Sequence, residues 1–489
     1  MAQIRISHLT FAYPGSYDDI FTDVSFSLDT DWKLGFIGRN GRGKTTFLQL
    51  LMGRYPFEGS ITSPVDFAYF PFLVERPEKW TLSIAQDLLP WLETWALCRE
   101  LSLLEVEEEV LYRPFSTLSQ GEQTKVLLAL MFLMEGRFLL VDEPTNHLDL
   151  HGREVVSRYL SRKHGFILVS HDRSFLDSCV DHVLSLNRTG LEVQQGNFSS
   201  WWKNKEYRDQ FEQGEQDRLR KDIGRLTRAA GRTAGWSHRI EASRTGQGPV
   251  DRGYIGHKSA KMMKRAKNLE SRQQRAIEEK SKLLKNVEKT ESLKVEPLAY
   301  PSKEMVVVTD VSIRYDDHIV NKPISFKVAQ GDRVVLDGKN GSGKSSMLKL
   351  ILGNPIQHTG SIKLASGLVI SYVQQDTSHL KGLLSEFIEE HGIDETLFKS
   401  ILRKMDFERI QFEKDISHYS GGQKKKLLIA KSLCEKAHLY IWDEPLNFID
   451  IYSRMQIEEL IKSSHLTMVI VEHDQAFQQT VATKTIAMS

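Results

Sequence analysis

The 489-residue chain is poor in cysteine: Cys98, Cys179 and Cys434 stand far apart and form no CxxC pair. Neither a disulfide framework nor a thiolate zinc site is suggested by that pattern. Long apolar runs are missing too. The longest, Val126 to Met134, has nine residues, about half of the ~18 to 20 that a membrane helix needs. No continuous apolar segment follows Met1-Ala2-Gln3-Ile4-Arg5-Ile6, so no secretory signal is read and a cytoplasmic location is expected. Net charge is nearly absent: 65 Lys and Arg against 64 Asp and Glu leave +1. Neutrality argues against a nucleic-acid partner only if the charge is spread evenly. What is present is an ordinary globular composition, 40% hydrophobic and 26% charged, in a chain long enough for two to four domains of roughly 100 to 200 residues.

The chain contains itself twice. Gly38-Arg39-Asn40-Gly41-Arg42-Gly43-Lys44-Thr45 returns 300 residues later as Gly338-Lys339-Asn340-Gly341-Ser342-Gly343-Lys344-Ser345. Both fit the phosphate-loop pattern GxxxxGK[ST], and each lies between a short apolar run and a helix-like run, as that motif requires. The register then holds. Ser119 follows Lys44 by 75 residues and Ser420 follows Lys344 by 76; Glu143 and Glu444 each come 24 residues after those serines; His171 and His473 follow by 28 and 29. Each glutamate closes an apolar strand ending in Asp-Glu-Pro, with Asp142 and Asp443 before it.

These spacings point to phosphate chemistry. Backbone N–H groups of Gly38, Asn40, Gly41, Gly43, Lys44, Thr45 and Thr46, and of Gly338, Asn340, Gly341, Gly343, Lys344, Ser345 and Ser346, would cradle phosphates at a helix N-terminus. Lys44 and Lys344 would reach the β and γ phosphates of ATP. Thr45 and Ser345 would ligate Mg²⁺, with Asp142 and Asp443 supplying carboxylates directly or at one remove. Glu143 and Glu444 stand where a water would be polarised, and Tyr13 and Tyr315, about 25 residues before each loop, could stack on adenine or simply pack.

The four motifs in order, twice, resemble the nucleotide-binding domains of ABC ATPases, and tandem domains without membrane spans around a charged linker resemble the ABC-F translation factors. The resemblance implies an α/β fold: two tandem P-loop ATPase domains, 1–198 and 303–489, joined by a helical hairpin linker, 199–302. It implies that Glu143 and Glu444 are catalytic bases and that His171 and His473 contact the γ-phosphate. It further implies that Ser119 and Gly121, and Ser420 and Gly422, complete the ATP site of the opposite domain within a monomer. The sites are not identical. Gln375 fits the family's metal-binding Q-loop glutamine, but the matching segment Ala68-Tyr69-Phe70-Pro71-Phe72 offers a phenyl ring. Asp149 and Asp450 both keep the D-loop position.

The neutral sum hides a segregation. Arg218 to Arg275 holds 16 Lys and Arg against four acids, a net of +12, leaving −11 elsewhere. Leu219, Ile223, Leu226 and Ala230 space out one amphipathic helix, expected from about Trp201 to Ala230; Met262 to Val287 suggests a second. Glycines from Gly231 to Gly248, with Pro249, suggest an irregular tip between them. A charged hairpin can be a solvated spacer. Spacers usually mix signs, however, whereas Lys258 to Lys267 has five basic residues and no acid. Arg252, Lys258, Lys261, Lys264, Arg265 and Lys267 are therefore candidate RNA contacts.

Val250 to Arg265 resembles the tip of the Lsa-like antibiotic-resistance subgroup of ABC-F proteins. That resemblance implies a bacterial ribosome partner, 23S ribosomal RNA and P-site transfer RNA, and protection against lincosamides, pleuromutilins and group A streptogramins. The absence of an arm between phosphate loop and signature, and of a C-terminal coiled coil after Ser489, agrees with it. Two alternatives stay open: a housekeeping ABC-F translation factor without a drug phenotype, and the ATPase subunit of a membrane exporter.

Overall fold

The computed structural model describes residues 2–14, 19–146, 148–187, 190–242, 295, 297–315 and 318–488. It forms two compact units, Met1–Trp201 with Ser292–Ser489, and Trp202–Glu291. The first unit holds both repeats, each built on the same plan.

In the first half the strand order is Asp66–Phe70, Arg137–Asp142, Phe166–Val169, Lys33–Gly38, His182–Asn187, Gly190–Gln195, parallel except for the last pair. The second half repeats it with Ile370–Val373, Leu439–Asp443, Met468–Val471, Arg333–Asp337 and Lys484–Ala487, all parallel. Phe166–Val169, Leu439–Asp443 and Met468–Val471 are buried at every residue, as strands covered on both faces must be. Each half adds an antiparallel sheet. Its Gln3–Phe11 strand alternates buried Ile4, Ile6, Leu9 and Phe11 with more exposed neighbours, the pattern of a sheet with one solvated face. Between the layers, Phe36, Phe47 and Leu140 pack in one core, and Leu336, Met347 and Ile441 in its counterpart.

Helix starts are fixed by side-chain caps. Ser119 and Ser420 each form a reciprocal capping box, with Glu122 and with Gln423. Asp149, Asp172, Asp450 and Asp474 each accept the backbone N–H three residues on, which satisfies a donor the helix leaves free.

The second unit contains most of a single helix, Phe198–Ala242, of 45 residues, about 67 Å at ~1.5 Å per residue. It runs past Ala230, where the glycines Gly231 and Gly235 suggested an end. Each glycine weakens a helix by only ~1 kcal/mol, and Ala229, Ala230 and Arg232 beside them favour it. Ion pairs one turn apart, Lys205–Asp209 at 3.8 Å and Arg225–Asp222 at 2.6 Å, add support. The second linker helix, the tip, and Arg252, Lys258, Lys261, Lys264, Arg265 and Lys267 lie outside the described residues. Among the described residues no helix is long and apolar enough to cross a membrane.

Candidate functional site

Each phosphate loop ends on a glycine in the left-handed region, Gly43 at φ 98° and Gly343 at φ 86°, which caps the Lys44–Leu51 or Lys344–Ile351 helix. A Cβ on Gly43 would lie 2.5 Å from Ile20 Cγ2, so conformation and space both demand glycine. No side chain caps either helix start, leaving first-turn N–H groups free for an anion. Lys44 Nζ donates to the carbonyls of Gly38 at 2.8 Å and Arg39 at 3.2 Å. Lys344 does the same with Gly338 at 2.7 Å and Lys339 at 2.8 Å. Burial lowers both ammonium pKa values, so a phosphate would stabilise these cations better than carbonyl dipoles do.

One turn into each helix a hydroxyl meets a carboxylate. Thr45 Oγ1 donates to Asp142 Oδ2 at 2.9 Å, and Ser345 Oγ to Asp443 Oδ1 at 3.0 Å. Burial raises the pKa of both aspartates, which a cation would reverse. Among the described residues no group of three or more His, Cys, Asp or Glu gathers as metal ligands. A hydroxyl with one carboxylate is an oxygen-only partial set. It fits magnesium, whose remaining positions go to phosphate oxygens and water.

Glu143 and Glu444 follow in the left-handed region, at φ 49° and 45°, a conformation non-glycine residues seldom adopt outside constrained sites. His171 Nε2 stands 3.2 Å from Glu143 Oε1, and His473 Nε2 3.8 Å from Glu444 Oε1. Burial holds His171 well below its ordinary pKa and brings His473 down to about 3, so both imidazoles are neutral. The glutamates differ in support. Glu444 Oε2 accepts from Gln375 Nε2 at 2.8 Å and Asn447 Nδ2 at 2.7 Å. Glu143 receives no side-chain amide among the described residues, and its Oε1 is buried without a hydrogen-bond partner. Burial, then repulsion from Asp142, pushes its carboxyl up to about 8.

The two halves share two clefts. One, of about 590 Å³, is lined by Tyr13, Asn40, Gly41, Gly43, Lys44, Thr45, Thr46, Asp142, Glu143 and His171 of the first half and by Ser420 and Gly422 of the second. The other, of about 990 Å³, is lined by Tyr315, Asn340, Gly341, Gly343, Lys344, Ser345, Ser346, Gln375, Glu444 and His473 of the second half and by Ser119 and Gly121 of the first. Gly38 and Gly338 serve as lysine acceptors, and Asp443 stands behind Ser345. Tyr13 and Tyr315 are partly exposed, and their hydroxyls bond Thr46 and Ser346, each at 2.8 Å.

Ties across the halves hold these clefts. Asn40 Nδ2 donates to Phe448 O at 2.7 Å, Asn340 N to Asp149 Oδ2 at 3.4 Å, and Arg153 Nη1 to His473 O at 3.3 Å. Arg173 pairs with Glu458, and Arg39 with Asp406 at 3.2 Å. The motifs alone did not single out Phe448, Arg153, Arg454 or Tyr69, whose hydroxyl donates to Asp142 at 2.9 Å. A signal existed for the arginines: Arg153 and Arg454 each lie ten residues after the motif glutamate.

A family model described as ABC transporter matches residues 21–146 and 321–447. The chain is 29% identical over 481 residues to the ribosome protection protein VmlR of Bacillus subtilis, covering 96% of this chain and 84% of that one. It is 26% identical over 529 residues to the putative ATP-binding protein YdiF of the same organism, covering 96% and 78%. Among solved structures, the complex of archaeal ribosomal stalk protein aP1 with the archaeal ribosome recycling factor aABCE1 superposes with a TM-score of 0.64 at 17% identity, covering 98% of this chain and 87% of that chain. At that identity the likeness is one of fold.

Proposed function

Because the chain belongs to the ABC transporter family and is an ATPase with one module in each half, we propose that it is an ABC-F ribosome-protection factor switched by ATP. The observation that carries the switch is that each cleft is walled by both halves. A ligand bridging both walls stabilises the closed arrangement, and its hydrolysis removes that bridge. The ribosome enters through the +12 charge of Arg218 to Arg275, suited to phosphate backbones, and through the similarity to a ribosome protection protein over 96% of the chain.

In this reading the ATPase domains are 1–198 and 303–489, the linker is 199–302, and the chain acts as a monomer in the cytoplasm. Lys44 and Lys344 exchange loop carbonyls for β- and γ-phosphate oxygens, while Tyr13 and Tyr315 take the adenine. Ser119 with Gly121, and Ser420 with Gly422, close over the phosphates from the opposite half. Glu143 and Glu444 orient the attacking water and take its proton; neutral His171 and His473 hydrogen-bond the γ-phosphate. Thr45 and Asp142 in one site, and Ser345, Asp443 and Gln375 in the other, would hold magnesium, which would supply charge neutralisation on the phosphates. Arg252, Lys258, Lys261, Lys264, Arg265 and Lys267 bind 23S ribosomal RNA near the P-site transfer RNA. Expression in a susceptible bacterial strain is expected to raise inhibitory concentrations for lincosamides, pleuromutilins and group A streptogramins. Unchanged values for all three classes would favour a housekeeping factor.

A further inference from the structure

We propose that the outer face of the Thr94–Leu103 helix, in the first half, docks a basic protein segment of the ribosome. This rests on the ribosome as partner and goes beyond it, by placing a second contact, to protein rather than RNA, far in sequence from the basic linker.

The helix has ten residues and buries Leu97, Glu100 and Leu101. Its opposite face carries Trp95, Arg99 and Leu103 at intervals of four, a spacing that keeps side chains on one side of a helix. Trp91 stands in the turn that leads into it, where Leu92 N donates to Leu89 O at 2.9 Å. Trp91 is 70% exposed, Trp95 62% and Leu103 39%. Exposed apolar residues scattered singly need no explanation. Two indoles within five residues, each about two-thirds in water, present about 300 Å² of ring surface, the scale of the largest patch on a typical monomer.

The second half shows what the fold itself requires at these positions. Its Glu395–Lys404 helix also has ten residues and buries Phe398, Ile401 and Leu402, each 301 residues after the buried residue it matches. At the same offset from Trp91, Trp95, Arg99 and Leu103 the sequence has Gly392, Thr396, Ser400 and Lys404. The same helix therefore packs the same way behind a solvated face. The tryptophans serve something outside the fold, and tryptophan and arginine are the residues that dominate contact energies at protein interfaces.

Charge selects the partner. Glu75 to Leu103 holds five acids against three bases, and exposed Glu105, Glu107, Glu108 and Glu109 follow at once. That field repels a phosphate backbone and attracts a cationic segment. The rings suit the same partner. Arg99 already stands over the Trp95 ring, 5.7 Å from its centroid, and Glu93 accepts from Trp95 Nε1, so the indole lies between a guanidinium and a carboxylate. Trp91 makes no hydrogen bond or ring contact among the described residues. Its ring is free to take an arginine or lysine of the partner in a cation–π contact.

The test uses the full chain carrying Glu143→Gln and Glu444→Gln, sedimented with purified bacterial ribosomes in ATP, with and without Trp91→Gly and Trp95→Thr, which install the second half's residues. The substituted chain is expected to bind ribosomes about tenfold more weakly or worse, with the thermal melt and ATP binding of its parent. A photo-reactive benzoylphenylalanine placed at position 91 of the parent is expected to give an adduct that survives ribonuclease and is lost to protease. Unchanged association of the substituted chain overturns the proposal, as does an adduct that is absent or removed by ribonuclease, the outcome if the indoles stack on RNA bases. A parent that stays in the supernatant overturns the ribosome as partner, and this docking surface with it.

Discussion

The first and second clefts share a frame and differ in what completes it. Both have the lysine curled onto its loop, the hydroxyl–carboxylate pair and the left-handed glutamate. Behind that frame the second half satisfies its own polar groups. Asp450, fully buried, takes Lys426 at 2.8 Å and caps Ser453; Arg454 pairs with Asp474 at 2.7 Å; Glu472 accepts the N–H of Leu446 and of His473. The equivalent groups of the first half reach across. Asp149 accepts from Asn340, and Arg153 divides itself between Asp172 and the His473 carbonyl. This layer of the second half is closed within that half except at buried Glu458, which takes Arg173 of the first, whereas Asp149 and Arg153 of the first half both bond to the second. A nearly symmetric fold can therefore carry an asymmetric switch through few side chains.

The sharpest way to break this comparison is to remove each buried arginine. Arg454→Met strands Asp474 and frees the carbonyls of Ile449 and Leu446; it should cost the second half about 3 to 5 kcal/mol in urea unfolding. Arg153→Met should cost less, about 1 to 3 kcal/mol, since part of its bonding is to a carbonyl of the other half. Equal losses would mean that the two halves are locked alike. A smaller effect comes from Gly422→Ala. A Cβ there would lie 2.3 Å from Phe448 O and 3.2 Å from Asn40 Nδ2, displacing the carbonyl that Asn40 holds. Overpacking of this kind costs about 1 to 3 kcal/mol, so release of nucleotide from the first cleft should speed up about tenfold. An unchanged release rate, followed with a fluorescent ATP analogue, would show that this bond does not hold the cleft shut.

Much of this was legible before the structure because the repeat fixes both identity and register. The resemblance carried by the spaced motifs implied the pairing of Lys44 with Ser420 and of Lys344 with Ser119, each pair lines one cleft, and the strand–loop–helix order around each loop is the one observed. Tyr69 was not legible as a partner of Asp142. Their contact depends on Asp66–Phe70 lying beside Arg137–Asp142 in the sheet, a neighbour relation between strands some 70 residues apart. The cross-half role of Arg153 was hidden likewise, since charge in a sequence does not reveal burial. At Gly231 and Gly235 local propensity pointed the wrong way, because the cost of a glycine is small against a long helix built around it.

On the proposed function, ATP closure of the two clefts governs association with the ribosome. Its most direct measurement is sedimentation of the Glu143→Gln, Glu444→Gln double variant with purified bacterial ribosomes, with ATP, with ADP and with no nucleotide. The protein is expected to pellet with ribosomes in ATP and to stay in the supernatant in ADP or without nucleotide. A protein that remains in the supernatant under all three conditions, or pellets equally in all three, would contradict it.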